Sequence, residues 1–348
     1  MWREDIVCRS VALIGFSEVV ESLGGDPTAL MEAAGIDTAT LNYDDSFISW
    51  VSFCDVLEMA ARELNAPDLG LQWAVSLSSD FSNKGPLAIL VMFSPDVRTF
   101  ISSWMQYTRV HTNGNWVEIF ENDTEGHVRI VLHSSPIALG TRQLSEHILA
   151  IFSRMSHEYL KPSVRKPLEV WFQHSAPKGK TLHDEVFGCP VKFNADHTAI
   201  YLRREIMDIK LGASFKFTRK IVDEYLARRI QSSPFQKLSI TTLVAQSLPA
   251  IVGVGNSDVN SVAALLGMNT KKLQRLLSDE GTNYSDILDE VRKDMACRRL
   301  RESDIAIGRL AGLLDYTSMI AFRNACKRWT GMSPREYRKA SRQVVDDS

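Results

Sequence analysis

A chain of 348 residues, 45% of them hydrophobic, is long enough to bury two ordinary cores, so two domains are expected. The formal net charge of −2 argues, over the whole chain, against a nucleic-acid partner, but the charge is segregated: residues 257–342 carry 16 Lys and Arg against 11 Asp and Glu, and the remainder 24 against 31. MWREDIVCRS lacks the long apolar core of a signal peptide, and stretches such as PLAILVMF fall far short of the roughly 20 apolar residues that span a bilayer, so a soluble protein with no membrane partner is expected.

In chain order, Val11 to Leu23 reads as a helix ending at Gly24-Gly25, Pro27 to Ala34 as a short second helix, and Trp50 to Leu64 as a third. Ser94-Pro95-Asp96 starts another helix through Phe100, Ile101 and Trp104 to Val110. WVEIFE and HVRIVLHS, separated by NDTEG, alternate apolar and polar residues as a hairpin does. A strong helix follows, with Leu144, Ile148, Ile151, Phe152, Met155 and Tyr159 on one face; LEVWFQHSAP, VFGCPVKF and AIYLRREI read as strands. Residues 1–215 therefore form a mixed helix-and-strand domain. Lys216 to Ile230 reads as a connecting helix and QSSPFQKLS as a linker, placing the connection at 216–235, a second domain at 236–342 led by a helix over Leu243 to Val252, and a tail at 343–348.

Within the second domain one pattern is written twice. Val259, Val262, Ala263 and Leu266 are spaced i, i+3, i+4, i+7, as are Ile307, Leu310, Ala311 and Leu314. A break follows each copy, Gly267-Met268-Asn269 and Asp315-Tyr316-Thr317-Ser318, and then a second helical run in which Leu273 and Leu277 match Phe322 and Cys326. Each copy is a helix-turn-helix with a basic outer face. Between them, Tyr284 to Leu300 forms a rod of about 25 Å with Tyr284, Ile287, Leu288, Val291 and Met295 as its stripe, a length suited to placing two units in adjacent major grooves. In WTGMSPREYR, Gly331 closes a helix and Ser333, Pro334 and Glu336 form a capping box for the next.

VAALLGMNTKKLQRLLSDEGTNYSDILDEVRKDMACRRL followed by IGRLAGLLDYTSMIAFRNACKRWTGMSPREYRK resembles the double helix-turn-helix domain of AraC/XylS-type bacterial transcription regulators. Three residues depart from that pattern: Asp315 replaces the turn glycine, Cys326 an aromatic, and Asn324 an arginine of the second reading helix. They predict a more loosely packed second unit. The N-terminal region resembles the arabinose-binding-like sensor domain of AraC-type regulators of the ornithine- and arginine-responsive kind, in the passage after KGPLAILVMFSPDVRTF, in PLEVWFQHSAP, and in FGCPVKF before Ile209-Lys210-Leu211. The resemblance implies an α+β sensor and dimerisation domain followed by an all-α DNA-binding domain of two helix-turn-helix units joined by a long linker helix. It implies a homodimeric activator, not an enzyme, whose partners are double-stranded DNA, RNA polymerase and a small-molecule effector, an amino acid or other small metabolite; no cofactor is called for.

On the first reading helix Lys271, Gln274 and Arg275 face away from Leu273 and Leu277 and are the candidate base readers, since Arg pairs with guanine and Gln with adenine in the major groove. Met319, Arg323 and Asn324 are their counterparts in the second. Lys272, Lys327, Arg328 and Arg335 are candidates for phosphate contacts, which position without specifying sequence. The competing reading of each is a solvated basic face. Trp104, Tyr107, Arg109 and Trp171 are candidates for lining a ligand cavity, with core packing as the alternative. Cys8, Cys54, Cys189, Cys297 and Cys326, odd in number and without a Cys-x-x-Cys pair, favour a reduced cytoplasmic setting over a disulfide framework. Cys189, with His174 and His183 nearby in sequence, is the strongest nucleophile candidate, and a buried structural cysteine is the stronger reading. His127, His133, His147 and His157 lack metal-ligand spacing, so no metal is expected. Two rival readings are a regulator controlled by assembly or a protein partner alone, and an enzyme fused to a DNA-binding end.

Overall fold

The computed structural model describes residues 4–42, 46–77, 94–122, 126–179, 181–211, 238–253 and 257–346, with a few positions between 220 and 228. The alternating segments pair as an antiparallel hairpin, β3 (Asn115–Asn122) with β4 (His127–Ser134), in a register that sets Ile119 opposite Ile130 and Phe120 opposite Arg129. β7 (Thr198–Arg203) lies antiparallel to β4, β5 (Glu169–Trp171) antiparallel to β7, and β6 (Val191–Lys192) parallel to β5, giving the order β3-β4-β7-β5-β6.

Successive strand residues point to opposite faces, and here the two faces carry different coats. Val128, Ile130 and Leu132 of β4 and Ile200 and Leu202 of β7 are buried on one face, where α5 (Val97–Tyr107) and α6 (Arg142–Tyr159) pack. On the other, Val131, Ala199 and Tyr201 form a separate apolar group with Leu168 and Trp171. The rest of the N-terminal half is a short ladder of β1 (Val7–Arg9) with β2 (Phe47–Ser49), and the helices α1 (Phe16–Ser22), α2 (Pro27–Ala33), α3 (Trp50–Glu63) and α4 (Leu69–Ser76).

Three segments differ from the sequence expectation. The helix expected over Val11 to Leu23 is broken: Ser10–Leu13 is a 3-10 turn and Gly15, at φ 81°, separates it from α1. α4 escaped notice because LGLQWAVS is apolar almost all round, so it shows no polar face and hence no helical period. Its Gly70 lies so close to α6 that a Cβ there would meet the Gln143 carbonyl oxygen at 2.0 Å. Of VFGCPVKF only Val191–Lys192 is strand; Val186 and Phe187 end α7 (His183–Phe187), closed by left-handed Gly188. PLAILVMF, most of Lys216 to Ile230, and QSSPFQKLS except its last two residues lie outside the described residues.

The C-terminal half is helical throughout: α8 (Ile240–Ile251), α9 (Val259–Leu265), α10 (Thr270–Asp279), α11 (Tyr284–Glu302), α12 (Ile307–Leu313), α13 (Met319–Thr330) and α14 (Pro334–Asp346). α8 starts earlier than expected because Ser239 caps it through the Thr242 N–H. α11 begins as the amphipathic rod foreseen, burying Ile287 and Val291, but from Ala296 to Leu300 every residue is buried, including Arg298 and Arg299. Its far end is gripped from both sides. Arg298 Nη1 donates to the Ser135 carbonyl (3.2 Å), and Arg299 donates to the carbonyls of Gln173 and Ala195 (both 2.7 Å). The linker helix is thus a beam shared by the two halves.

Candidate nucleic-acid interface

In the first unit Asp258 caps α9, accepting from the Asn260 and Ser261 N–H groups. The chain turns through Gly267 at φ 66°, and the Asn269 side chain caps α10 by accepting from Lys272 N (2.9 Å). Leu273 and Leu277 are fully buried, which fixes the rotation of α10 and leaves Lys271, Lys272, Gln274 and Arg275 exposed. All four expected contact residues of this unit therefore lie on the outer face.

In the second unit the caps differ. Ala306 offers no side-chain cap to α12, while Ser318 caps α13 by accepting from Ala321 N (3.1 Å). Phe322 and Ala325 are buried, and Cys326 is only 1% exposed, so the loosening expected from the cysteine is not seen. Tyr316 packs on Phe322 (ring centroids 5.6 Å) and Trp329 on Tyr316 (6.3 Å), so the unit keeps an aromatic cluster without one at position 326. Met319, Arg323, Asn324 and Lys327 are exposed, as is Arg335 on the first turn of α14. So is Ile320, at 68%, a residue the sequence reading passed over. Arg328 is exposed too, but its guanidinium already donates to Asp289 of α11 (2.6 Å), beside Trp329 Nε1, which donates to the other Asp289 oxygen (2.7 Å). The capping box stands as expected: Gly331 is left-handed, Ser333 N donates to Glu336 Oε2 (2.8 Å) and Glu336 N to Ser333 Oγ (3.4 Å).

The two units are clasped together where the second departs from its pattern. Asp315, at φ 56°, takes the left-handed turn position that glycine normally holds, and its Oδ2 accepts from Ser257 Oγ (2.5 Å) at the start of the first unit. Tyr284 O–H donates to the Ser257 carbonyl (3.0 Å), and Arg292 reaches both Ser257 Oγ (3.3 Å) and the Asp315 carbonyl (3.5 Å) while lying over the Tyr316 ring. Burial, with the Asp258 carboxylate next, pushes the Tyr284 hydroxyl up to about 12, so it stays a donor across the neutral range.

Of the expected ligand-lining residues, Trp104 and Trp171 are not brought together. Trp104 packs on Phe152 (5.1 Å) beneath the first face of the sheet and lines a cavity of about 90 Å³ with Trp73 and His147. Trp171 stands on the opposite face, between Tyr201 and the Lys192 ammonium. The side chains of Tyr107 and Arg109 lie outside the described residues. Nor do the catalytic candidates assemble: burial, then the Glu169 charge, raises the Cys189 thiol to about 11, whereas His174 and His183 face buried Glu146 (3.5 and 3.2 Å). Among the described residues no group of three or more His, Cys, Asp and Glu side chains is placed to hold a metal ion, and no helix is long and apolar enough to cross a membrane.

Two helix-turn-helix units on one long helix, each turning a polar face outward, define a DNA-binding transcription regulator with a mixed α+β domain ahead of it. The chain belongs to the AraC-type regulators: residues 24–211 match the arabinose-binding domain of AraC transcription regulators, N-terminal, and residues 262–340 match a helix-turn-helix domain. It is 25% identical over 335 residues to the HTH-type transcriptional regulator VirS of Mycobacterium tuberculosis, covering 95% of this chain and 96% of that one. It is 24% identical to the ornithine utilization regulator of Pseudomonas aeruginosa, covering 93% and 94%. The crystal structure of the transcriptional regulator CdpR from Pseudomonas aeruginosa is similar at 18% identity and a TM-score of 0.42, covering 90% of this chain and 96% of that one.

Proposed function

We propose that this regulator is a cytoplasmic, homodimeric, sequence-specific activator that reads two adjacent major grooves and acts with RNA polymerase under the control of a small metabolite. In this reading residues 1–215 sense and dimerise, 216–235 connect, and 236–342 bind DNA. Lys271, Gln274 and Arg275 read bases from α10, and Met319, Arg323 and Asn324 from α13, where the exposed methyl-bearing ends of Met319 and Ile320 suit thymine methyl groups. Lys272, Lys327, Arg328 and Arg335 hold phosphates. The observation that carries the reading is the pair of reading helices, each anchored by two or more buried residues and outwardly polar, fixed to one shared helix that the N-terminal domain grips. Ligand control is supported by that grip, because a sensor joined to the linker helix by buried arginines has a direct means of shifting how the two units are presented.

Selection from a pool of random-sequence duplexes near physiological salt tests the DNA claim. Two short boxes about one helical turn apart are the expected outcome. A single box removes base reading from the second unit, and no enrichment overturns sequence-specific binding.

A further inference from the structure

A cavity of about 230 Å³ lies between the second face of the sheet and the DNA-binding half. That is the volume of about eight waters at liquid density, compact beside the usual range for ligand pockets. Its lining is mixed: Leu310, Leu313, Leu314 and Pro249 of α8 are apolar, and Arg129, Arg298 and Arg299 bring three guanidinium groups against two carboxylates, Glu118 and Asp196.

The polar groups are unevenly satisfied. Glu118 is held by His133 (3.0 Å), and Asp196 Oδ2 by Arg309 (2.6 Å). Asp196 Oδ1 and Arg129 Nε are buried with no hydrogen-bond partner, and Arg129 covers the Phe120 ring instead. The hydrogen bonds of Arg298 and Arg299 go to main-chain carbonyls, and burial, then the neighbouring Arg298 charge, pulls Arg299 down to about 10 against the opposing charges of Glu302 and Asp196. A buried donor and a buried acceptor left open in one partly apolar cavity, with an excess of positive charge, describe a complementary molecule: an anion that also brings one N–H or O–H group and an apolar body.

We propose that this interdomain cavity is the effector site, and that it takes a compact organic carboxylate bearing one hydrogen-bond donor, its carboxylate toward the arginines and its donor toward Asp196 Oδ1. The inference rests on the metabolite control proposed above and goes further by fixing where the metabolite binds and what chemistry it carries. Coupling follows from the same bonds. Arg298 and Arg299 fasten the linker helix to the sensor, so an anion that draws on their donors changes that fastening, and with it the relative stability of the two arrangements.

The donor can be an ammonium or a hydroxyl, and the probes separate them: L-phenylalanine and L-leucine on one arm, 3-hydroxybenzoate on the other. 3-Phenylpropanoate and benzoate lack the donor of each arm, and L-phenylalaninamide and 3-hydroxybenzamide lack the carboxylate. Calorimetry on the full chain is expected to show binding on one arm, with the matching control at least about tenfold weaker. Ala250→Trp, which fills the cavity from α8 and leaves its charges, and Arg129→Gln, which removes one, are each expected to weaken binding by about tenfold or more. Binding undiminished in both variants overturns the location, and the absence of binding on both arms overturns the chemical class. In either case recovery of an operator by duplex selection shows that the regulator reading itself has survived.

Discussion

The two helix-turn-helix units share a pattern and differ in what holds them. The first is capped locally at both helices, by Asp258 and Asn269, and its reading helix presents four exposed polar side chains, Lys271, Lys272, Gln274 and Arg275, in one turn and a half. The second lacks a side-chain cap on α12 and is instead held at long range: by Asp315 to Ser257, by Arg328 to Asp289, and by Arg309 to Asp196 of the sensor. A unit stabilised by its own caps keeps its surface for DNA. Under the ligand control proposed above, a unit stabilised by ties to its surroundings is the one whose position the N-terminal domain would shift.

The largest effect that separates them is expected at the reading helices. Arg275→Ala should lower affinity for the selected operator by about 1 to 3 kcal/mol, roughly 5- to 150-fold, and relax preference at one base position. Asn324→Ala should cost less and leave the preference nearly intact. Equal losses, measured by competition binding at fixed salt, would break the asymmetry.

Next comes the tie between the sensor and the helix leading into the second unit. Glu302, at the end of α11, accepts from Thr141 N (2.8 Å), while Glu58 of α3 accepts from Gln143 N (2.9 Å), so two half-buried carboxyls bracket one short segment. Burial, then the charge of Glu302, raises Glu58 to about 7, with Arg142 opposing and Glu146 adding to the shift. A carboxyl whose folded pKa exceeds its unfolded value contributes stability that is complete at acid pH and is lost as pH rises through about 7. Stability should therefore fall by roughly 2 kcal/mol between pH 5 and pH 8 from this group. Glu58→Gln keeps the acceptor for Gln143 N–H and should flatten that fall, read by urea unfolding at the two pH values. A parallel loss in variant and parent would remove Glu58 as its source.

How much of this was legible follows from the range of each interaction. Gly267, Asn269, Gly331 and the Ser333 to Glu336 box act over three or four residues, and each does what its local pattern announced. The sheet hairpin was readable for the same reason, since alternation is local. The clasp between Ser257 and Asp315 joins residues 58 apart, and Arg299 meets carbonyls more than a hundred positions away. Neither has a periodic signature. Trp104 and Trp171 looked alike as aromatic residues, and only the strand register shows that they lie across the sheet from each other. The exposed faces of α10 and α13 were legible in the sequence and the interdomain cavity was not, because the former need one helix and the latter needs two domains.

Asp315 gives a smaller and sharper test. It pays a left-handed backbone cost of about 1 kcal/mol and recovers it through Ser257. Asp315→Gly removes both terms and should leave stability within about 1 kcal/mol of the parent. Asp315→Ala keeps the strain, loses the bond, and should be the less stable of the two by about 1 kcal/mol in thermal unfolding. If alanine proves equal to glycine, the second unit is not held by this clasp.

The smallest expected effect is at Arg328. Its side chain is 62% exposed and that of Asp289 39%, so solvent screens the pair and Arg328→Ala should change folding stability by only a few tenths of a kcal/mol. Its consequence for DNA is separable. If the guanidinium leaves Asp289 for a phosphate when DNA binds, removing it should weaken operator and non-specific DNA alike and lower the slope of log affinity against log salt by about one. An unchanged slope would make Arg328 a strut between α13 and α11, leaving the phosphate grip of the second unit to Lys327 and Arg335. The first unit has no comparable choice, because among the described residues no acidic side chain pairs with the Lys272 ammonium, and it is the Lys272 backbone N–H that makes the bond to Asn269.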